Sequence, residues 1–415
     1  MKLLIRKATL HHKDHSKGKT DILVEDGIIK EIAPSISINA DKEITSPDLH
    51  VSAGWMDIFA DLADPGHEHK ETLESGANAA AAGGFTALCV IPNTKPAVSS
   101  KTQVEYISRK ASSLPMQIFP IGAITKDIEG KELAEMYDMH AAGAVAFSDG
   151  RKPVQSPGVM LKALQYVLAN DTLLLQVPDD NSIGKGGLMH EGLTSTRHGL
   201  PGKPAIAEEL MIHRDIELLR YTGSKLHITG VSTARGLNMI FAAQQEGLNI
   251  SCSVTPYHCW FCDEDLVTYD TNLKVDPPLR SRNDMMALRA AVLEGKVAVA
   301  SHHNPQHWDD KTCEFEYAKP GMISLQTVFP VLNTLGMDPA KLAFVLAESS
   351  RKIFGMPAPE IKKDAVANLT LFDPSLEYTF TKEEIRSISR NSPFIDMQFK
   401  GCVLGTVLGD QTNLK

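Results

Sequence analysis

Cysteine is scarce in this chain, with six residues in 415. That is too few for a disulfide framework and suits a reducing compartment. Long apolar runs are missing as well: nowhere do about 18 uncharged apolar residues follow one another, so a membrane-spanning helix is not expected. The apolar stretch between Met1 and Arg6 is too short for a signal peptide, which points to a cytoplasmic location. Blocks of lysine or arginine are absent, and 42 basic against 51 acidic residues leave a net charge of -9. Nucleic-acid binding is therefore not expected, and the acidic surface favours solubility. No Gly-rich phosphate turn follows an early strand, which argues against a doubly wound dinucleotide-binding sheet. The one close cysteine pair, Cys259-Trp260-Phe261-Cys262, has no second pair or Cys/His set at zinc-ribbon spacing and reads as ordinary buried thiols.

What the chain does have is a long, core-forming middle between two β-rich ends. At 43% hydrophobic and 22% charged residues it can bury a large core. Lys2 to Ala8 and Asp21 to Val24 read as strands, and Glu25-Asp26-Gly27 before Ile28 to Ile32 is a hairpin signal. Ala367 to Phe372 and Met397 to Val407 repeat that style at the other end. The expectation is one small β-sandwich domain assembled from residues 1–51 and 360–415. Between them, residues 52–359 alternate short β-branched runs with helical stretches, the pattern of a parallel sheet with crossover helices. Eight runs fall near 52–60, 84–91, 117–124, 143–147, 172–177, 225–230, 249–254 and 296–301, the closing number of an α/β (β/α)8 barrel of TIM type. Helices are expected over Lys70–Ala82, Glu208–Leu219, Thr233–Gln245 and Asp284–Leu293, the first stopped by Gly83-Gly84.

A barrel forms its active site at the carboxyl ends of its strands. Here those ends hold Asp57 to Asp61, Pro92-Asn93-Thr94, Ile124-Thr125, Ser148-Asp149, Val177 to Asp180, Gly230-Val231-Ser232, Thr255 to His258, and Ser301-His302-His303. His67, His69 and His307 fall outside them and read as solvated loop histidines, as do His11, His12 and His15 before Gly18.

The segment Val51 to Gly66, with Asp57, Phe59, Asp61, Ala63 and Asp64-Pro65-Gly66, resembles the signature of type I dihydroorotases of the amidohydrolase superfamily. Lys70-Glu71-Thr72, Pro92-Asn93-Thr94, Ala144 to Asp149, Asp180-Asn181-Ser182, His190-Glu191-Gly192, Val231-Ser232-Thr233, Pro277 to Arg280 and Ser392-Pro393-Phe394 extend that resemblance over nearly the whole chain. It implies a (β/α)8 barrel beside a small β-domain from both ends, and a cyclic amide opened or closed by metal-activated water. A divalent ion lowers the pKa of bound water from about 15.7 to about 7, on the order of 12 kcal/mol in hydroxide availability.

Carried across one residue at a time, the family's metal positions are altered. The two histidines after the first strand become Phe59 and Asp61, and the strand-five histidine becomes Val177. The strand-six histidine becomes Gly230, and the strand-eight aspartate, both ligand and proton shuttle in the family, becomes His302. Paired aspartates near strand four are reduced to Asp149 followed by Gly150, so a ligand role for Asp149 stays open. The Arg that clamps a carboxylate is Ala63 and an asparagine is Asp276, changes expected to make the pocket repel dianionic carbamoyl aspartate. Asn93 and His303 stay at positions the family uses for substrate, although a turn-capping Asn93 and a locally satisfied His303 are the plainer reading.

Three readings follow. The first is a non-catalytic homologue linked to pyrimidine biosynthesis, without metal cofactor, forming dimers and supporting aspartate transcarbamoylase, as some inactive dihydroorotase-like chains of bacteria do. The second is a dihydroorotase or related cyclic amidase with a rearranged zinc site drawn from Asp57, Asp61, Asp149, His302 and His303. The third is a carbohydrate or nucleotide binding module on the same barrel. The first is favoured, because the altered positions fall on at least four strands. No catalytic residue is assigned, His302 and Asp149 being the occupants of the family's catalytic positions.

Overall fold

The computed structural model describes residues 1–11 and 18–415. His12 and His15 lie outside them, while His11 ends the first strand, its Nε2 2.7 Å from Nδ1 of His50. The middle of the chain is an eight-stranded parallel sheet whose strands follow one another in sequence order. The barrel strands are, from first to eighth, Trp55–Ala60, Phe85–Val90, Gln117–Gly122, Ala146–Phe147, Leu174–Gln176, Leu226–Thr229, Ile250–Val254 and Ala298–Val299. All eight lie within the runs expected from sequence. The sheet closes on itself where Ala60 bridges His303 in parallel and the Asp61 amide donates to the His303 carbonyl at 2.9 Å.

Side-chain alternation explains the closure. Ala87, Cys89, Leu173, Leu175 and Val177 join one buried cluster with Met56, Ile58, Ile121 and Ala298. The residues between them, Leu88, Val90 and Leu174, join the layer that packs on the surrounding helices. The expected helices are present with their caps. Leu73–Ala82 starts at Thr72, whose hydroxyl accepts from the Ser75 amide, and Ala234–Gln245 starts at Thr233 in the same way. Ile206–Thr222 ends at Gly223 with φ of 66°, and Arg282–Leu293 is capped by Ser281. The first of these begins three residues later than its hydrophobic pattern suggests, because Lys70 and Glu71 send their side chains to Gln306 and to Ser387 instead.

Both chain ends meet in one curled mixed sheet. Lys2–His11 pairs antiparallel with Lys19–Glu25 and parallel with Lys42–Ile44 and His50–Ala53. Asn368–Thr379 pairs with His50–Ala53 and with Gln398–Leu408. The Asp26-Gly27 turn has φ of 48° and 77°, the left-handed pair that a two-residue hairpin demands. The apolar run near 52–60 splits at Gly54: His50–Ala53 belongs to the terminal sheet and Trp55–Ala60 to the barrel. A β-carbon on Gly54 would lie 2.0 Å from Asn368 Oδ1 and 2.2 Å from Thr86 Oγ1, so the two bodies meet there without room for a side chain. Trp55, fully buried, packs on Phe329 and Phe372 with ring centroids 5.4 and 5.3 Å away, and its indole N–H donates to Ser52 Oγ. Among the described residues no helix is long and apolar enough to cross a membrane.

Gly54→Ala is expected to destabilise the protein by about 1–3 kcal/mol through overpacking. A urea midpoint equal to that of the wild type would show that the junction is not closely packed.

Candidate functional site at the barrel mouth

Asp57 faces the seam of the barrel. Its carboxylate, 1% exposed, accepts from the Ser301 amide at 2.6 Å, the Ser301 hydroxyl at 2.8 Å and the Phe59 amide at 3.3 Å. Burial raises its pKa, and these three donors work against that rise. Asp57 thereby links the first strand to the end of the eighth.

Phe59, His302 and Gly230 form one packing unit. The Phe59 ring stacks on the His302 imidazole at 4.4 Å between centroids, 26° from parallel, and both are buried. His302 Nε2 lies 2.7 Å from Thr229 Oγ1. A β-carbon on Gly230 would come within 2.5 Å of His302 Cε1, and its φ of 73° is the left-handed conformation glycine tolerates. The imidazole thus occupies the space a side chain at 230 would need. Burial, then the neighbouring His258, His227 and Arg151, lower the His302 pKa to about 3, so the ring is neutral at physiological pH.

The remaining acids are also engaged. Asp61 accepts from the Ala63 amide at 2.8 Å and pairs with Arg151 Nη2 at 2.6 Å. The other Arg151 nitrogen donates to Asn304 Oδ1. Asn93 accepts from the Arg151 amide at 3.0 Å and donates to the Asp149 carbonyl at 3.2 Å, so it fixes the backbone that carries Arg151. Asp149 takes the amide and hydroxyl of Thr125, and burial pushes its pKa up to about 6 against those donors. At Gly150 a β-carbon would lie 1.7 Å from Asn93 Oδ1, leaving no room for a second acid. His303 Nδ1 accepts from the Ser324 amide at 3.1 Å, which leaves Nε2 as the donor to Glu71 at 3.4 Å. Burial favours the neutral Glu71 acid, but His303, Ser387 and Ser75 outweigh it and hold its pKa below the usual range.

Val177 lines a cleft of about 280 Å³ with Arg151, Asp179, Asp276, His302 and Asn304, and Lys70, Gln306 and Lys319 complete its rim. Lys203, 8% exposed in its side chain, sits between two acids, 2.7 Å from Asp179 and 2.6 Å from Asp276. The Ala63 and Asp276 changes do not leave the pocket without cations: Asp276 is paired with Lys203, and Lys70, Arg151 and Lys319 line the same cleft. Sequence reasoning missed these four. Arg151 directly follows Asp149-Gly150 and was within reach of inspection, whereas Lys203 carries no local signal.

The family's metal asks for converging histidine and carboxylate donors with one open position. Here Asp57, Asp61 and Asp149 are each directed at a different protein donor, and Phe59, Val177 and Gly230 offer no lone pair. These residues do not fit a zinc centre of the family type. Among the described residues, the one trio of His, Cys, Asp or Glu ligand atoms within 4.8 Å of one another is Cys262, Asp263 and Glu264. Cys259 and Cys262 are buried free thiols, burial pushing Cys259 up to about 12. His67, His69 and His307 gather on loops beside Lys70 and Gln306, with successive ring centroids 6.2 and 5.8 Å apart.

His302 generates a pH prediction. Its folded pKa lies below the unfolded value near 6.5, so on acidification the unfolded chain takes up a proton that the folded one refuses. Stability from this group is complete above pH 6.5 and is lost as pH falls toward about 3, by about 1.4 kcal/mol per pH unit. His302→Gln is expected to flatten the dependence of the urea midpoint on pH between 6 and 4. An unchanged slope would place a charged imidazole at this position.

Comparison with known proteins agrees with this architecture. A family model described as dihydro-orotase-like matches residues 50–235. The chain is similar to the dihydroorotase of Carboxydothermus hydrogenoformans, 38% identical over 402 residues that cover 95% of this chain and 94% of that one. It is likewise similar to the dihydroorotase of Caldanaerobacter subterraneus subsp. tengcongensis, 36% identical over 418 residues that cover 99% and 97%. Among solved structures, L-hydantoinase from Arthrobacter aurescens matches with a TM-score of 0.85 at 22% identity, covering 100% of this chain and 96% of that one. Dihydropyrimidinase from Brevibacillus agri matches at 0.83 and 18%, covering 100% and 95%. At that identity the structures establish the fold alone, while the sequence relatives at 36–38% identity establish the family. The chain belongs to the dihydroorotase family.

Proposed function

We propose that this chain is a dihydroorotase homologue whose barrel mouth holds no catalytic metal, and that it serves as a structural or regulatory partner of aspartate transcarbamoylase in pyrimidine biosynthesis. The observation that carries this reading is the stack of Phe59 on His302 above Gly230, which fills the ends of strands one, six and eight with an aromatic ring and a neutral imidazole. Without a metal, water near neutral pH is a poor nucleophile toward an amide, and no lone base in the mouth supplies an equivalent activation. Parts of a catalytic unit act together, so their joint replacement removes most of the rate rather than a fraction of it. The polar cleft and intact barrel then serve as a scaffold, in a homodimer within a larger assembly.

A second reading has its own support. Relatives 35–38% identical carry the name dihydroorotase, and Asp61, Asp149 and His302 still stand at the mouth. In that reading a rearranged mononuclear zinc site opens or closes a cyclic amide.

Protein purified without chelator decides between them. The expected result is zinc well below one per chain and no dihydroorotate turnover above the buffer rate. Stoichiometric zinc with turnover would establish the second reading. Partnership is tested separately: tagged protein is expected to retain the host's aspartate transcarbamoylase on a column and raise its activity, and a free chain with no effect on that enzyme would remove the partner role.

A further inference from the structure

The cleft at the mouth has a basic and an acidic wall, supplied by different strand ends. Lys70 follows the first strand, and Asn304, Gln306 and Lys319 follow the eighth, which is its neighbour across the seam. Arg151 follows the fourth strand but reaches over the mouth to this same wall, where it meets Asp61 and Asn304. Asp179 follows the fifth strand and Asp276 follows the seventh; the two acids meet at Lys203 and make the other wall, which adjoins the first where the Lys274 carbonyl accepts from the Gly321 amide at 2.9 Å.

Counting partners on each wall leaves a residue of charge. On the first wall, Arg151 is matched by Asp61 at 2.6 Å and Lys319 by Asp310 at 2.9 Å. Lys70 forms no ion pair among the described residues, and its ammonium donates to the Gln306 amide oxygen at 2.9 Å. Three cations thus face two carboxylates, an excess of one positive charge. On the second wall, Asp179 and Asp276 share the single ammonium of Lys203, an excess of one negative charge. Arg280 cannot settle it, because its guanidinium faces Glu208 at 3.5 Å. Burial, with Lys319 and Arg151 close by, lowers the Lys70 pKa, and an incoming carboxylate would relieve that penalty.

A space of about 280 Å³ with one uncompensated charge on either side fits a small molecule that carries both signs. We propose that the barrel mouth binds a small zwitterion of the amino-acid class, its carboxylate against Lys70 and Arg151 and its ammonium against Asp276 and Asp179. The proposal rests on the reading that no metal occupies this mouth. A dianion would meet the acidic wall unpaired and a dication the basic wall, so discrimination comes from repulsion as much as from attraction.

Three four-carbon probes of matched length test this by calorimetric titration: 4-aminobutyrate, succinate and 1,4-diaminobutane. Wild-type protein is expected to bind 4-aminobutyrate about tenfold more tightly than either of the others. Asp276→Asn is expected to shift the preference toward succinate, and Lys70→Gln or Lys319→Gln toward the diamine, with melting curves confirming that each variant is folded. Equal or tighter binding of succinate or the diamine to the wild type would overturn the proposal. So would an absence of binding by all three, or an order that none of the folded variants changes. Zinc content and dihydroorotate turnover are measured on the same preparation. A failed ranking in zinc-free, inactive protein overturns the zwitterion site alone, whereas stoichiometric zinc with turnover overturns the metal-free reading beneath it.

Discussion

One carboxyl group reinforces the seam at which the barrel closes. The eighth strand is only two residues long, so backbone pairing between the last and first strands is sparse. Asp57 supplies what the ladder lacks by gripping the amide and the hydroxyl of Ser301 from the opposite side of that seam. A buried carboxyl of this kind is tolerable only while its donors are in place, because an unsatisfied one costs the full desolvation penalty of the group. The join lies beside two side chains of the mouth, Phe59 two residues on from Asp57 and His302 immediately after Ser301.

From the seam outward the mouth divides into a packed floor and a charged rim. Phe59, His302 and Val177 make the floor apolar or neutral, and Thr229 holds the imidazole in place. The rim above is built from ion pairs that join loops far apart in sequence: Arg151 with Asp61, and Lys203 with Asp179 and Asp276. A second buried network stands behind it. Glu208 accepts from the amides of Ser232 and Thr233 at 3.0 and 2.9 Å, while Arg280 donates to Ser232 Oγ and to the Lys203 carbonyl. The loop carrying Lys203 is thereby fixed from below, and the acids around it inherit that rigidity.

Much of the fold was legible because its signals are local. Eight short apolar runs, the Asp26-Gly27 hairpin and the Gly83-Gly84 stop after the first barrel helix each act within a few residues. Sequence places the junction at 51/52 and it lies at Gly54, because one apolar run passes from the terminal sheet into the barrel and its pattern does not mark the residue at which the partner changes. At the mouth, the identities of Phe59, Val177, Gly230 and His302 could be aligned from sequence, but their mutual packing could not. The pairing of Arg151 and Lys203 escaped for a plainer reason: although Arg151 follows Asp149-Gly150, the acids these cations meet at Asp61 and Asp276 lie 90 and 73 residues away, and no period or spacing encodes such a pair.

The fit between Gly230 and His302 couples the two positions. Enlarging position 230 alone drives a new side chain into the imidazole, while shrinking position 302 alone opens a hollow under Phe59 and leaves the Thr229 hydroxyl with Ser253 Oγ as its one remaining side-chain partner. Each single step is penalised, so the two sites behave as a ratchet. A substitution at either position is therefore opposed by the other, and the floor of the mouth accepts change at 230 and 302 only as a pair.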